Sequence, residues 1–332
     1  MRALTTIIAV ILLSISTGCS PTHSLKKTAN TNGKTVLLTV DFNDTRTLRY
    51  KFFSARDITI DWEPSKPATE QGRPSLAKPS ESLETVIAYT PVEINPYGLS
   101  TIQATCESVK VRRSDDVKKD AVEEFAGKTY RFKVGPTGKI EDNTELDKLI
   151  KQIGEKAFRS DTSRGRIKEP DMIADFIATQ WFLWDSVSSI PNPSEGVRPG
   201  QSWQSQLSVP TPMVMRKARD VTYTLEEIRE SEKGRLAVIS STYDKAESVP
   251  NSWPIPYSGR FQMSGPFGFY RNYKILSLHG EGEEIFNIDA GRIDKSVQHY
   301  IMNMSASLLM PLPGVNPRIT IKQYLTMELL GN

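Results

Sequence analysis

Three histidines in a chain of 332 residues leave little for the commonest catalytic and metal chemistry. His23 lies in a polar N-terminal stretch, so only His279 and His299 remain, and no histidine-based triad is easily built from them. His279 is followed by Gly280-Glu281-Gly282-Glu283-Glu284, whose carboxylates could offer metal oxygens. Zinc sites need His or Cys at tight spacing, and calcium loops need a set Asp/Asn/Gly series; neither is present. The acidic run therefore reads as a solvated strand end, His299 as a strand residue, and no metal site is assigned. No Gly-x-Ser-x-Gly elbow or Walker loop occurs, and Gly265-Pro266-Phe267-Gly268 lacks the Lys-Ser/Thr and helix start of a phosphate cradle. Lys and Arg total 42 against 39 Asp and Glu, with no long basic run, which argues against a nucleic-acid partner. Carboxylate pairs such as Asp115-Asp116 and Glu123-Glu124 sit in a charged stretch, Arg112 to Glu124, that reads as an exposed loop. No catalytic residue and no cofactor is assigned, and the chain reads as a non-enzyme.

Long apolar runs are missing as well. The run from Ala3 to Ile15, behind Arg2, is too short to span a membrane and suits a signal-peptide core. It leads to Ser16-Thr17-Gly18-Cys19, which resembles the bacterial lipobox, with Ser16 where that motif usually carries Leu. The resemblance implies that residues 1–18 are a lipoprotein signal peptide and that Cys19 carries the lipid. An ordinary secreted protein cut nearby is the rival. Ser20 stands where Asp would favour the inner membrane, which leans the expected location to the outer membrane, facing the periplasm. Residues 19–34 are small, polar and proline-containing and read as a flexible tether. With Cys19 acylated, Cys106 is the one cysteine left, so no intrachain disulfide can form and the fold must rest on its core. In Thr101-Ile-Gln-Ala-Thr-Cys106 it alternates with Ile102 and Ala104 and reads as a buried strand residue.

Residues 35–332 read as one β-rich domain. Strict two-residue alternation of apolar and polar side chains recurs at Val36–Phe42, Leu48–Phe52, Tyr130–Val134, Val221–Leu225 and Ile319–Leu329, the last interrupted only by Gln323. Such alternation marks antiparallel sheet with one face buried. A helical segment, 143–188, breaks the pattern. Leu146, Leu149, Ile150, Ile153, Ala157 and Phe158 recur at helical spacing behind Asn143 or Thr144 as N-cap. A second helix is expected from Pro170 to about Val187, apolar on more than one face and so buried. Residues 63–82, rich in Pro, Ser, Lys and Glu, read as a solvated loop insertion. Phe132 to Ile140 and Phe286 to Ile293 repeat an inward Phe, a glycine turn and a second strand, which suggests two similar halves.

Aromatic residues are the surplus. Trp181 and Trp184 on the second helix, and Trp253, Phe261, Phe267 and Phe269 in a Gly/Pro-rich stretch from Asn251 to Tyr273, need not all reach one core. Either the stretch folds back and these side chains complete an ordinary core, the reading that exposure costs favour, or it lies over the helix and the six converge on one concave apolar surface, a ligand site.

Ile190-Pro191 to Pro193, followed by Val197-Arg198-Pro199-Gly200-Gln201-Ser202-Trp203, is a more specific junction. Here the chain resembles an uncharacterised family of bacterial secreted and lipid-anchored proteins. Its members share an early hairpin, a helical segment, a Val-x-Pro-Gly-x-x-Trp junction and a β-rich second half. The resemblance implies architecture and no activity; Trp203 reads as a structural anchor. The expectation is α+β, a large curved antiparallel sheet packed by two helices. The leading functional reading is a non-catalytic envelope lipoprotein that binds an apolar ligand or a protein partner. The alternatives are an envelope-polymer hydrolase working through carboxylates and a purely structural or assembly subunit.

Overall fold

The computed structural model describes residues 34–42, 46–62, 75–113, 119–161, 165–250, 253, 255–308 and 316–331. The signal peptide, Cys19, nearly all of the tether, residues 63–74 of the loop insertion and the pair Asp115-Asp116 lie outside them.

The alternating segments form strands of one large antiparallel sheet. In chain order these are β1 (Leu48–Asp61), β2 (Ser75–Ile94), β3 (Ser100–Arg113), β4 (Thr129–Val134) and β5 (Ile140–Asp142), then β8 (Ser202–Ser208), β9 (Ala218–Ser231), β10 (Gly234–Lys245), β12 (Tyr270–Asn287), β13 (Arg292–Leu308) and β14 (Arg318–Leu329). Their spatial order is β5-β4-β3-β2-β1-β14-β13-β12-β10-β9-β8, so the sheet has 11 strands and two free edges. The first and last strands meet at its middle, from Tyr50 opposite Leu329 to Asp61 opposite Arg318. A separate small sheet joins β6 (Phe158–Asp161), β7 (Gly165–Lys168) and β11 (Gln262–Met263).

The connection from β5 to β8 runs between opposite edges of the main sheet. It carries α1 (Thr144–Gly154), α2 (Ile173–Phe182) and α3 (Asp185–Ser188). Asn143 stands at the N-cap of α1, as expected, but without a side-chain capping bond; Asp142 Oδ1 instead accepts the Thr144 amide at 3.0 Å and the Thr144 hydroxyl at 2.8 Å. The expected helix end moves too. Phe158 opens β6 opposite Lys168, and its ring meets Tyr257, Phe261 and the Arg166 guanidinium. Gly154 ends α1 where the chain at Pro256 comes so close that a Cβ would fall 3.1 Å from the Pro256 carbonyl carbon.

The helix expected over 170–187 is shorter and broken. It begins at Ile173, whose amide is accepted by Asp171 Oδ1 at 3.0 Å. It stops where Trp184 (φ −130°, ψ 16°) turns into the core between α2 and α3. Phe42 and Tyr89 present ring edges to Trp184, and Phe132 packs beside it at 6.0 Å. A large aromatic ring that buries there outweighs one more turn of helix hydrogen bonds.

Three further expectations change. Val36, Leu38, Val40 and Phe42 are buried as alternation requires, but the segment is extended chain outside the sheet. It is tied by reciprocal backbone bonds between Val36 and Val197, and by the Asp41 amide to the Gly291 carbonyl. The loop insertion ends earlier than 82, because residues 75–82 belong to β2 and follow β1 in register past a bulge. Composition suggested solvent there; a long partner strand decides otherwise, and Glu81 is buried on Arg56. Within Arg112–Glu124 the exposed-loop reading also fails in part: Val122 and Phe125 are buried, and Phe125 stacks on Phe176 of α2 at 4.0 Å.

Polar side chains cross the buried face of the sheet. Arg56 of β1 gives Nε to Glu81 at 2.9 Å and Nη1 to Asp175 of α2 at 2.6 Å. Asp175 also accepts from Ser54 at 2.7 Å, and Gln323 Nε2 donates to the same Ser54 hydroxyl at 2.7 Å. This is why Gln323 interrupts the apolar face of β14. Arg113 extends the network to Asp120 at 2.5 Å, and Gln180 Oε1 accepts from Tyr89 and Tyr130 at 2.9 and 2.6 Å. Cys106 is buried beside them, and burial pushes its thiol up to about 12.

Candidate functional site: an apolar pocket between α2 and the β8–β9 connection

The connection from β8 to β9 reads Val209-Pro210-Thr211-Pro212-Met213-Val214-Met215. Each proline lacks an N–H and holds the residue before it extended, so this run cannot add to the sheet edge. It is closed at its base by the Val209 amide on the Lys217 carbonyl at 2.9 Å and turned by Thr211 Oγ1 on the Met213 carbonyl at 2.8 Å. Its apolar side chains face α2. A pocket of about 180 Å³ lies between them, lined by Ala174, Ile177 and Trp181 of α2, Pro210 to Met215 of the connection, and Trp253, Ile255 and Tyr257 opposite. An apolar cavity of roughly 150 Å³ holds a benzene-sized molecule. Two methionines in its wall make the surface adaptable in shape.

Five charged groups edge the pocket. Lys168 and Asp171 are buried and ion-paired, the Lys168 ammonium lies 4.2 Å from the centre of the Tyr257 ring, and the Tyr257 hydroxyl donates to Asp171 at 2.5 Å. Arg216 is exposed and Lys217 half-buried at the rim. Asp185, half-buried at the start of α3, accepts from Ser205 of β8 at 2.9 Å and from Tyr223 of β9 at 2.8 Å. Burial pushes its carboxyl up to about 6, against the pull of Tyr223, Ser205 and Arg219.

α3 is held in place from beneath. Trp203, the aromatic of the Pro-Gly junction, donates its indole N–H to the Ser186 carbonyl at 2.7 Å and stacks on Tyr223 at 5.8 Å. Ser186 donates its hydroxyl to Glu284. Glu284 is therefore not part of a solvated acidic strand end. In β12, residues 278, 284 and 286 are buried, while His279, Glu281 and Glu283 face out. Burial pushes Glu284 up to about 8. Gly280 and Gly282 share its face, and their missing side chains make room for neighbours: a Cβ on Gly282 would lie 2.7 Å from Ser241 Oγ, and one on Gly280 would lie 2.6 Å from Tyr300 Cα. The Tyr243 and Tyr300 rings, each 4.5 Å from the Arg219 guanidinium carbon, occupy this region.

Of the six aromatics read as one surface, the structure brings Trp181 and Trp253 together at the pocket. Trp184 is in the core, and Phe267 is buried against Tyr270. Phe261 packs on Phe158 and Tyr257, and Phe269 is 61% exposed. The stretch from 253 to 270 thus divides its aromatics among pocket, core and solvent. Sequence reading missed Met213, Met215 and Asp185. Two X-Pro steps inside an apolar run between strands were the available signal for the first two; nothing local marks Asp185. No protein-family model and no curated protein matches the chain.

Proposed function

We propose that this is a non-catalytic cell-envelope lipoprotein that binds an apolar ligand between α2 and the β8–β9 connection. The observation that carries this reading is the lining of the pocket: Trp181, Trp253 and Met215 form its walls together with Ile177 and Met213, which belong to the edge of the hydrophobic core. Apolar walls with a few placed polar groups are the usual form of a small-molecule site. Against a carboxylate hydrolase stands the use made of Asp171. Its oxygens are taken by Lys168, Tyr257 and the Ile173 amide, so it is poorly placed to trade protons with a substrate. The same proposal takes the sheet as curved, with helices α1 and α2 on its buried face and the two glycine hairpins as traces of similar halves. It also places the chain in the family of bacterial secreted and lipid-anchored proteins that it resembles.

The test of binding is a neutral apolar dye such as Nile red with the full chain. Trp181→Ala should weaken dye binding by about tenfold, roughly 1.4 kcal/mol, because a large part of one wall is lost. Equal dye affinity in the parent and the Trp181→Ala protein would remove the pocket from the account.

Export and anchoring through Cys19, at the outer membrane facing the periplasm, complete the proposal. In Cys19→Ser cells, labelled palmitate should fail to enter the protein and the precursor should stay uncut. Label appearing in that variant would contradict the anchor.

A further inference from the structure

Resting on the reading of the pocket as an apolar ligand site, we propose that its ligand is an amphiphilic cation, with its apolar body between Trp181 and Trp253 and its ammonium group against Asp185.

Asp185 is the reason to look for a positive charge. It lies on the pocket wall, half-buried, and both of its hydrogen-bond partners are neutral hydroxyls, Ser205 and Tyr223. Arg219 pulls on it from outside ion-pair distance, and among the described residues no Lys, Arg or His side chain makes an ion pair with it. A carboxylate set in an apolar wall without an ion-paired cation is costly, and a cation brought by the ligand offsets that cost. Trp181 lies one helical turn before Asp185 in the chain and lines the same pocket, as does Trp253. Indole faces attract ammonium groups more strongly than other aromatic rings, and more so out of water.

The protein already holds one of its own cations in this manner at the same pocket. The Lys168 ammonium is ion-paired with Asp171 and sits over the Tyr257 ring. Asp185 and Trp181 line the same pocket and offer a carboxylate and an aromatic ring, with the ammonium left for the ligand to supply. Arg216 and Lys217 at the rim would favour an anion instead. Arg216 is exposed, however, where water and salt screen its charge, whereas Asp185 acts from within the wall.

The experiment compares three probes of equal chain length on the full chain: octyltrimethylammonium, octanol and octanoate, each below its micelle concentration, read by calorimetry and by tryptophan fluorescence. The cation should bind at least about tenfold more tightly than octanol. In Asp185→Asn that advantage should fall to within about threefold, a change the lost charge predicts. If Asp185→Asn does not fold, the ranking of the three probes on the parent protein decides alone. Octanol binding as well as the cation would overturn the cation and leave the apolar pocket standing. Octanoate binding tightest would overturn it in favour of an anion held by Arg216 and Lys217. No binding of any probe would overturn the pocket reading and this inference together.

Discussion

Replacing Arg56 with Met is expected to cost the fold about 3–5 kcal/mol, the range for leaving a buried charge without its partner. Arg56 is 2% exposed and stands between two buried acids, Glu81 and Asp175. Without it, Glu81 keeps Arg113 at 3.4 Å but loses its closest cation, and Asp175 keeps Ser54 and Gln323 without an ion pair among the described residues. Burial already pushes the Asp175 carboxyl up against the pull of Arg56, and losing that pull would push it further in the same direction. Part of the loss should return in Arg56→Met with Asp175→Leu, since an apolar pair of similar volume needs no partners. Urea unfolding of the three proteins measures both effects. A loss under about 1 kcal/mol in Arg56→Met would mean that the network does not hold α2 to the sheet.

The fold should also lose stability as pH rises from about 5 to about 8, by roughly 4 kcal/mol from the most shifted carboxyl alone, at about 1.4 kcal/mol per pH unit and titrating group. Glu284 in the unfolded chain loses its proton in the ordinary carboxylate range; in the folded protein burial holds that proton until about 8. Between these values the native state binds a proton that the unfolded state does not. Its contribution is complete below the ordinary range and is lost as pH passes through about 8. Asp185 and Asp120, each pushed up to about 6 mainly by burial, act in the same direction over a narrower window. The carboxyls lowered by surface partners, among them Asp142, Glu124 and Asp289, have the opposite sign and act only in acid. They are exposed and solvent-screened, so their part is small. Stability should peak near pH 5, and Glu284→Gln should flatten the decline above pH 6. Unfolding midpoints that hold steady from pH 5 to 8, or a decline unchanged in Glu284→Gln, would contradict this.

The architecture was legible wherever local pattern and tertiary demand agree. β14 is the clearest case: its alternation named the buried face, and the one exception, Gln323, is a polar side chain that the neighbouring strand and α2 require. Pattern fails where a distant partner decides. Val36–Phe42 alternates like a strand but, among the described residues, makes a single bridge, to Val197, and joins neither edge of the sheet. Residues 75–82 have the composition of a loop but pair along β1. The break at Trp184 follows from a cluster of rings contributed by Phe42, Tyr89 and Phe132, which no window around residue 184 contains. The acidic run after His279 divides by the two-residue period of its strand, which sends Glu284 inward and its neighbours out.

The same reasoning accounts for the candidate site. Trp181 and Trp184 are three residues apart on one apolar helix, and sequence alone assigns them one role. Their separation into pocket and core depends on where α2 ends. Asp185 follows one residue later and gains its place from Ser205, Tyr223 and Trp203, all far along the chain.

The central claim, that the space between α2 and the β8–β9 connection is a ligand site, is tested most directly by native mass spectrometry of the full chain purified from its own cells. The account predicts additional mass from a small apolar molecule, present in the parent protein and depleted in Trp181→Ala. A bare chain in both proteins, with neither apolar molecule nor dye taken up on addition, would contradict it.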